Sequence, residues 1–168
     1  MKILLCGDIN SGKTTLIQRL LADMSAAPRG YITVRMPEVD GVSNVYLYDI
    51  ANPPERVEDA AVIMAISDNG TEKHPERLDT LGVRYLTDIP AGSVVVLDEI
   101  GSLETASPEF QKAVMRILSG DYTVLAAVKA ANTDFLRAVR RHPDCELYII
   151  TPRNRDELYE QLKREYNI

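Results

Sequence analysis

Cysteine and basic excess are both scarce in this chain, and long apolar runs are missing. Its 168 residues include two cysteines, Cys6 and Cys145. Far apart in the chain, they form no metal or redox spacing. Cys6 sits in an apolar run and reads as a small core residue. Lysine and arginine number 19 against 25 aspartates and glutamates, a net charge of -6. That balance argues against a general nucleic-acid or anionic-membrane binder, which needs a basic surface. No stretch approaches membrane-spanning length, and the N-terminus has no long apolar h-region, so a cytoplasmic setting without membrane contact is expected. The two histidines, His74 and His142, lie in polar segments without metal-ligating neighbours. Repeats, low-complexity tracts and linkers are missing too.

What is present describes an ordinary globular protein: 45% hydrophobic and 26% charged residues. The length suits one domain spanning residues 1–168. Along it, strand and helix patterns alternate. "KILLCG" is a short apolar strand, and "KTTLIQRLLADM" places Leu16, Ile17, Leu20, Leu21 and Met24 at helical spacing. "RGYITVRMP" and "SNVYLYDIA", joined by "EVDG", read as a β-hairpin after the first helix. Residues 53–92 are the least legible: "VEDAAVIMAI" fits helix or strand, "SDNGTEKHPE" reads as a loop and "PERLDTLGVRYL" leans helical. "GSVVVLDEIG" is a buried strand ending in acids. Ser107 and Pro108 then open a helix with Phe110, Val114, Ile117 and Leu118 on one face. "YTVLAAV" and "ELYIIT" read as two more buried strands, each followed by a helix. This alternation predicts an α/β fold with a mainly parallel sheet covered on both faces.

Between the first strand and the first helix stands "GDINSGKTT". Gly7, Gly12, Lys13 and Thr14 satisfy GxxxxGK[ST], the P-loop pattern. A glycine turn leading into a helix would not require a lysine followed by two threonines. In that reading Gly7, Asp8, Ile9, Asn10, Ser11, Gly12, Lys13, Thr14 and Thr15 bind a nucleotide's phosphates. Loop N–H groups and the helix N-terminus stabilise negative charge, Lys13 reaches the β- and γ-phosphates, and the Thr14 hydroxyl ligates Mg²⁺. "VVVLDE" supplies the complement. An acid at the end of an apolar strand helps hold Mg²⁺ in such sites, which suits Asp98. One carboxylate cannot also serve the attacking water, so Glu99 is the candidate base.

"GDINSGKTTLI", "GYITV", "VVVLDEIGSLE" and the late "NRD", in this order, resemble the THEP-type nucleoside-triphosphatase family along essentially the whole chain. The resemblance implies Mg²⁺-dependent hydrolysis of ATP, GTP and other nucleoside triphosphates with loose base preference. It also implies a five-stranded core with an extra strand between the P-loop strand and the DE strand. The chain departs from that pattern at Ser102 and Leu103, where the family often has lysine and methionine, and at Lys129, where it often has histidine.

Other polar residues carry double readings. Asn154 and Glu157 form a capping-box variant, with Asp156 in the first turn of the last helix. Capping leaves Arg155 unexplained, so Arg155 is assigned to the nucleotide site. Glu104 either anchors the loop after DEIG or is solvated, Lys129 could contact the γ-phosphate, and Arg137, Arg140 and Arg141 form either a solvated face or a phosphate-sensing lid. Two other classes compete with hydrolysis: a kinase passing the γ-phosphoryl to a small acceptor, and a slow nucleotide-dependent switch.

Overall fold

The computed structural model describes residues 1–54 and 58–168. Four strands carry the apolar runs of the sequence: β1 (Lys2–Gly7), β6 (Val94–Ile100), β7 (Thr123–Lys129) and β8 (Glu146–Ile149). A second group comprises β2 (Arg29–Arg35), β3 (Val42–Asp49), β4 (Val62–Ser67) and β5 (Gly70–Lys73). Together they form one eight-stranded sheet in the order β5-β4-β3-β2-β6-β7-β1-β8. The pairs β2-β6, β6-β7, β7-β1 and β1-β8 are parallel, while β2-β3, β3-β4 and β4-β5 pair antiparallel.

Side-chain alternation divides the core between the two faces of the parallel region. Ile3, Leu5, Val96, Leu125 and Ala127 face one way, against Leu16, Ile17 and Leu20 of α1 (Lys13–Asp23) and Leu158 and Leu162 of α6 (Arg155–Tyr166). Leu4, Val95, Leu97, Val124 and Ala126 face the other way. There they meet α4 (Pro108–Ser119), through Phe110, Val114, Ile117 and Leu118, and α5 (Asp134–Arg140), through Phe135, Leu136 and Val139. Strands buried on both faces have no polar positions to alternate with, which is why β1, β6 and β7 read as unbroken apolar runs.

The illegible middle of the chain departs most from expectation. Val57 of the ambiguous stretch 57–66 lies outside the described residues, while its end forms β4. "SDNGTEKHPE", expected to be a loop, contains the turn and strand that complete the β4-β5 hairpin. The exposed residues of β5 gave no apolar signal to find it by. The helical lean of residues 75–86 is resolved as α2 (Pro75–Arg77), a π turn over Leu78–Gly82 and α3 (Val83–Tyr85). A second correction concerns β8. It was expected to be buried, yet it is the edge of the sheet, with Leu147 40% and Ile149 59% exposed. An apolar run reports strand character but not whether a neighbour lies beyond it.

Gly30 lets β2 close onto β6. Its φ is +99°, and a Cβ there would lie 2.2 Å from the backbone oxygen of Val96. Gly30→Ala should therefore cost about 1–3 kcal/mol, the range for a strained backbone position, read as a lower midpoint in urea unfolding. An unchanged midpoint would show that β2 shifts freely against β6.

Candidate functional site

Residues 7–12 turn the chain from β1 into α1 at the carboxyl end of the sheet, the usual place for ligands in open α/β sheets. The turn uses left-handed backbone at Asn10 (φ 62°) and Gly12 (φ 97°). Gly12 is required twice, because a Cβ would also stand 2.6 Å from Cδ of Arg155, which lies across the loop. Ser11 is buried, whereas Asp8, Ile9, Asn10, Thr14 and Thr15 are exposed, Ile9 by 74%. Lys13 folds back over the loop, its Nζ donating to Gly7 O (2.9 Å) and Asp8 O (2.7 Å), with Ser11 Oγ at 3.4 Å. Its burial lowers the ammonium pKa by desolvation.

Facing the loop is a distortion of β6. Leu97 pairs with Ala126 and Ile100 with Val128, so β6 carries one residue more than β7 over this interval. The bulge falls on Asp98 and Glu99, and Glu99 adopts φ 67°, a left-handed conformation that is costly for a glutamate. Without the extra residue, alternation would send these two side chains to opposite faces of the sheet. With it, both carboxylates reach one cluster. Asp98 is only 2% exposed. Its Oδ1 accepts from Thr14 Oγ1 (2.9 Å), and its Oδ2 accepts from Thr33 N (3.3 Å) and Thr33 Oγ1 (3.4 Å). Glu99 Oε2 lies 3.4 Å from the same Thr33 hydroxyl, and Glu99 Oε1 lies 3.4 Å from Lys129 Nζ.

The structure thus brings together Lys13, Thr14, Asp98, Glu99 and Arg155, and adds Thr33, to which the sequence reading gave no role. The available signal was its place in β2, two residues beyond Tyr31, which pairs with Leu97 immediately before the acids. Lys129 joins the site through Glu99. Glu104 is buried at 5% exposure, its Oε2 has no hydrogen-bond partner, and burial raises its pKa. The solvated alternative for Glu104 therefore fails.

The arginines of α5 are engaged elsewhere. Arg140 donates to the carbonyls of Lys129 (3.1 Å) and Ala131 (2.9 Å), which fixes the segment after β7, and Arg137 pairs with Asn132 and Asp134. The capping-box reading of Asn154 fails. Its Oδ1 accepts from Thr151 N (2.7 Å), its Nδ2 donates to Ile149 O (2.9 Å), and it makes no side-chain cap on α6. It braces the β8–α6 connection instead. Asp156 does lie in the first turn, where it binds Arg19 of α1 at 2.5 Å and Arg155 at 3.3 Å. His142 is buried and bonded to Ser119 Oγ (3.0 Å), and His74 stands among glutamates.

Among the described residues no cation pairs with Asp98, and no three His, Cys, Asp or Glu side chains form a metal-binding group. Burial is the largest influence on Asp98 and raises its pKa, against the lowering effect of Thr14 and Thr33. The sign for stability follows. A carboxyl whose folded pKa is raised stabilises the fold below its unfolded pKa and loses that contribution as pH rises through the folded value. Ionised Asp98 thus burdens the nucleotide-free protein at neutral pH. Asp98→Asn should have the higher Tm at pH 7, with the difference shrinking towards pH 4. A lower Tm for the variant at pH 7 would mean that the hydrogen bonds outweigh burial.

Comparison with known proteins agrees with this architecture. A family profile described as NTPase matches residues 2–163. The nucleoside-triphosphatase THEP1 of Thermotoga sp. (strain RQ2) is 26% identical over 96% of this chain and 93% of its own. That of Thermofilum pendens is 40% identical over a shorter match, 55% of this chain and 52% of its own. The crystal structure of THEP1 from the hyperthermophile Aquifex aeolicus superposes with a TM-score of 0.73 at 21% identity, covering 96% of each chain. The solution structure of a human cancer-related nucleoside triphosphatase gives 0.66 at 21% identity, covering 96% of this chain and 94% of that one. With a bulged acid pair facing a glycine-lysine loop and a profile match over nearly its whole length, this chain belongs to the NTPase family.

Proposed function

We propose that the protein is a Mg²⁺-dependent phosphatase of nucleoside triphosphates, converting ATP, GTP and their relatives to diphosphate and phosphate on a P-loop fold. The observation that carries this reading is the hydrogen bond from Thr14 Oγ1 to Asp98 Oδ1, 2.9 Å. It joins the loop to an acid pair whose second member is free of the same task. The names of the THEP1 relatives support hydrolysis.

The residues present fit a divalent cation. Asp98 is a buried carboxylate with two hydroxyl neighbours and no paired cation among the described residues. A Mg²⁺ site normally takes one or two protein oxygens and completes itself with phosphates and water. Thr14 and Asp98 would hold it. Once bound, the ion neutralises charge on the β- and γ-phosphates.

The protein's own groups do the rest. Lys13 exchanges the carbonyls of Gly7 and Asp8 for phosphate oxygens, and the loop and the start of α1 present backbone N–H groups to the remaining charge. Arg155, lying over Gly12, adds a guanidinium beside the loop. Glu99 takes a proton from the attacking water as the water oxygen bonds the γ-phosphorus and the diphosphate leaves. Thr33 and Lys129 hold its two oxygens in place. The strained backbone at Glu99 stores orientation before substrate arrives. Two unpaired cysteines are consistent with a cytoplasmic setting, and among the described residues no helix is long and apolar enough to cross a membrane.

Glu99→Gln should leave ATP affinity nearly unchanged and lower kcat by roughly 10²–10⁴, the usual worth of a positioned base. Phosphate release and equilibrium nucleotide binding in one preparation check it, and near-wild-type turnover would remove Glu99 from the mechanism. Arg155→Ala should weaken nucleotide binding by about tenfold, the scale of one charge-assisted hydrogen bond, with Tm within about 2 °C of wild type. A drop in Tm with unchanged binding would make Arg155 a purely structural residue.

A further inference from the structure

The acid pair opens into more space than hydrolysis requires. A cavity of ≈ 380 Å³ runs from Thr14 past Asp98 and Glu99 to the antiparallel part of the sheet. A water molecule occupies about 30 Å³, and a terminal phosphate entering at Thr14 leaves the far end unfilled. That far end carries a large apolar surface from Val45 of β3, Ile63, Met64 and Ile66 of β4, and Leu103, with Arg35 of β2 beside Val45. Water gains nothing from the apolar part of such a wall.

The wall is shaped by a second bulge. Val45 pairs with Met64 but Tyr46 pairs with Val62, so Ile63 is passed over in the β3-β4 register. The irregularity turns consecutive residues, Ile63 and Met64, onto the same cavity, where regular alternation would separate them. Both bulges of the sheet, at Asp98-Glu99 and at Ile63, thus open on one space.

We propose that this chamber is an acceptor site for a small primary alcohol with an apolar body, and that the enzyme also transfers the γ-phosphoryl group to it. The inference rests on the triphosphate and Glu99 roles given above. The apolar part of the wall selects against a fully polar acceptor. In the transfer step the alcohol O–H bond breaks and its proton passes to Glu99. The alcohol oxygen bonds the γ-phosphorus, and the bond from that phosphorus to the β,γ-bridging oxygen breaks. Its electron pair leaves with the nucleoside diphosphate. The products are a phosphate monoester and the diphosphate. A hydroxyl held beside the phosphorus competes with water through its effective concentration, and the apolar body displaces water from the chamber. Hydrolysis is then the reaction of the chamber when only water fills it.

The full chain with ATP and Mg²⁺ is followed by ³¹P NMR in the presence of benzyl alcohol, 2-phenylethanol or glycerol. A phosphate-monoester resonance is expected with the two aromatic alcohols, at least about tenfold above that with glycerol, the scale on which an apolar pocket discriminates. Ile66→Trp, which fills the far end of the chamber and leaves the water beside Glu99, should reduce ester formation by about tenfold or more while inorganic phosphate release stays within about twofold. Met64→Ala, which removes part of the wall without crowding it, should raise the apparent KM for benzyl alcohol by about tenfold. It carries the comparison if the tryptophan variant does not fold. Inorganic phosphate as the sole product, at a rate indifferent to the alcohols in wild type and variants alike, would overturn the acceptor site and leave hydrolysis standing. No nucleotide consumption under any condition would instead refute the hydrolytic reading on which the acceptor site depends.

Discussion

A carboxylate buried beside a hydroxyl, with no cation to pair it among the described residues, is the constraint around which the site is organised. Asp98 gives up hydration by being 2% exposed, and the hydroxyls of Thr14 and Thr33 offset only part of that loss. Hydrogen bonds from neutral donors do not replace a counter-charge in a poorly polarisable interior. The polypeptide can hold such a group because the surrounding strands leave it nowhere else to go. Val95, Val96 and Leu97 are fully buried before it and Ile100 after it, so β6 is anchored on both sides of the acids.

From this constraint the other features follow. The bulge in β6 lets the neighbouring residues Asp98 and Glu99 share one site. Its strain at Glu99 is tolerated because the flanking ladder with β7 is intact on either side. Thr33 reaches both acids only because β2 lies directly against β6, and β2 lies there only because Gly30 has no Cβ to strike Val96. Arg155 lies on the loop because α6 begins just after β8, next to β1, and because Asp156 is tied to Arg19 of α1. Loop, acids and arginine thus come from β1, β6 and the end of β8, which lie within one parallel region of the sheet although they are far apart in the chain.

The antiparallel extension is the part of the fold that gives the site a character beyond hydrolysis. Strands β3 to β5 are not needed to hold a phosphate, yet β3 and β4 supply the far wall of the cavity next to Glu99. Sheet extensions of this kind place side chains by register. A single extra residue at Ile63 therefore changes what the cavity presents without disturbing the loop on the other side of the acids.

Sequence alone determined the parts of this protein that depend on local chemistry. Unbroken apolar runs placed β1, β6 and β7, and a 3.6-residue period placed α1 and α4, because burial is a property of the segment itself. The loop between β1 and α1 was legible because its left-handed backbone at Gly12 favours glycine. The acids of "VVVLDE" were legible because ionisable groups are costly at the end of a buried strand unless they serve a purpose. Tertiary structure alone decided the rest. Whether "ELYIIT" lies at the centre or the edge, whether Glu104 is solvated, and whether Asn154 caps a helix or braces a loop depend on what sits opposite in space. So do the partnership of Thr33 with Asp98 and Glu99 and the apolar wall of β4. These arise between strands separated by dozens of residues, and the one-residue shifts that create them leave no mark on the hydrophobic pattern of either strand.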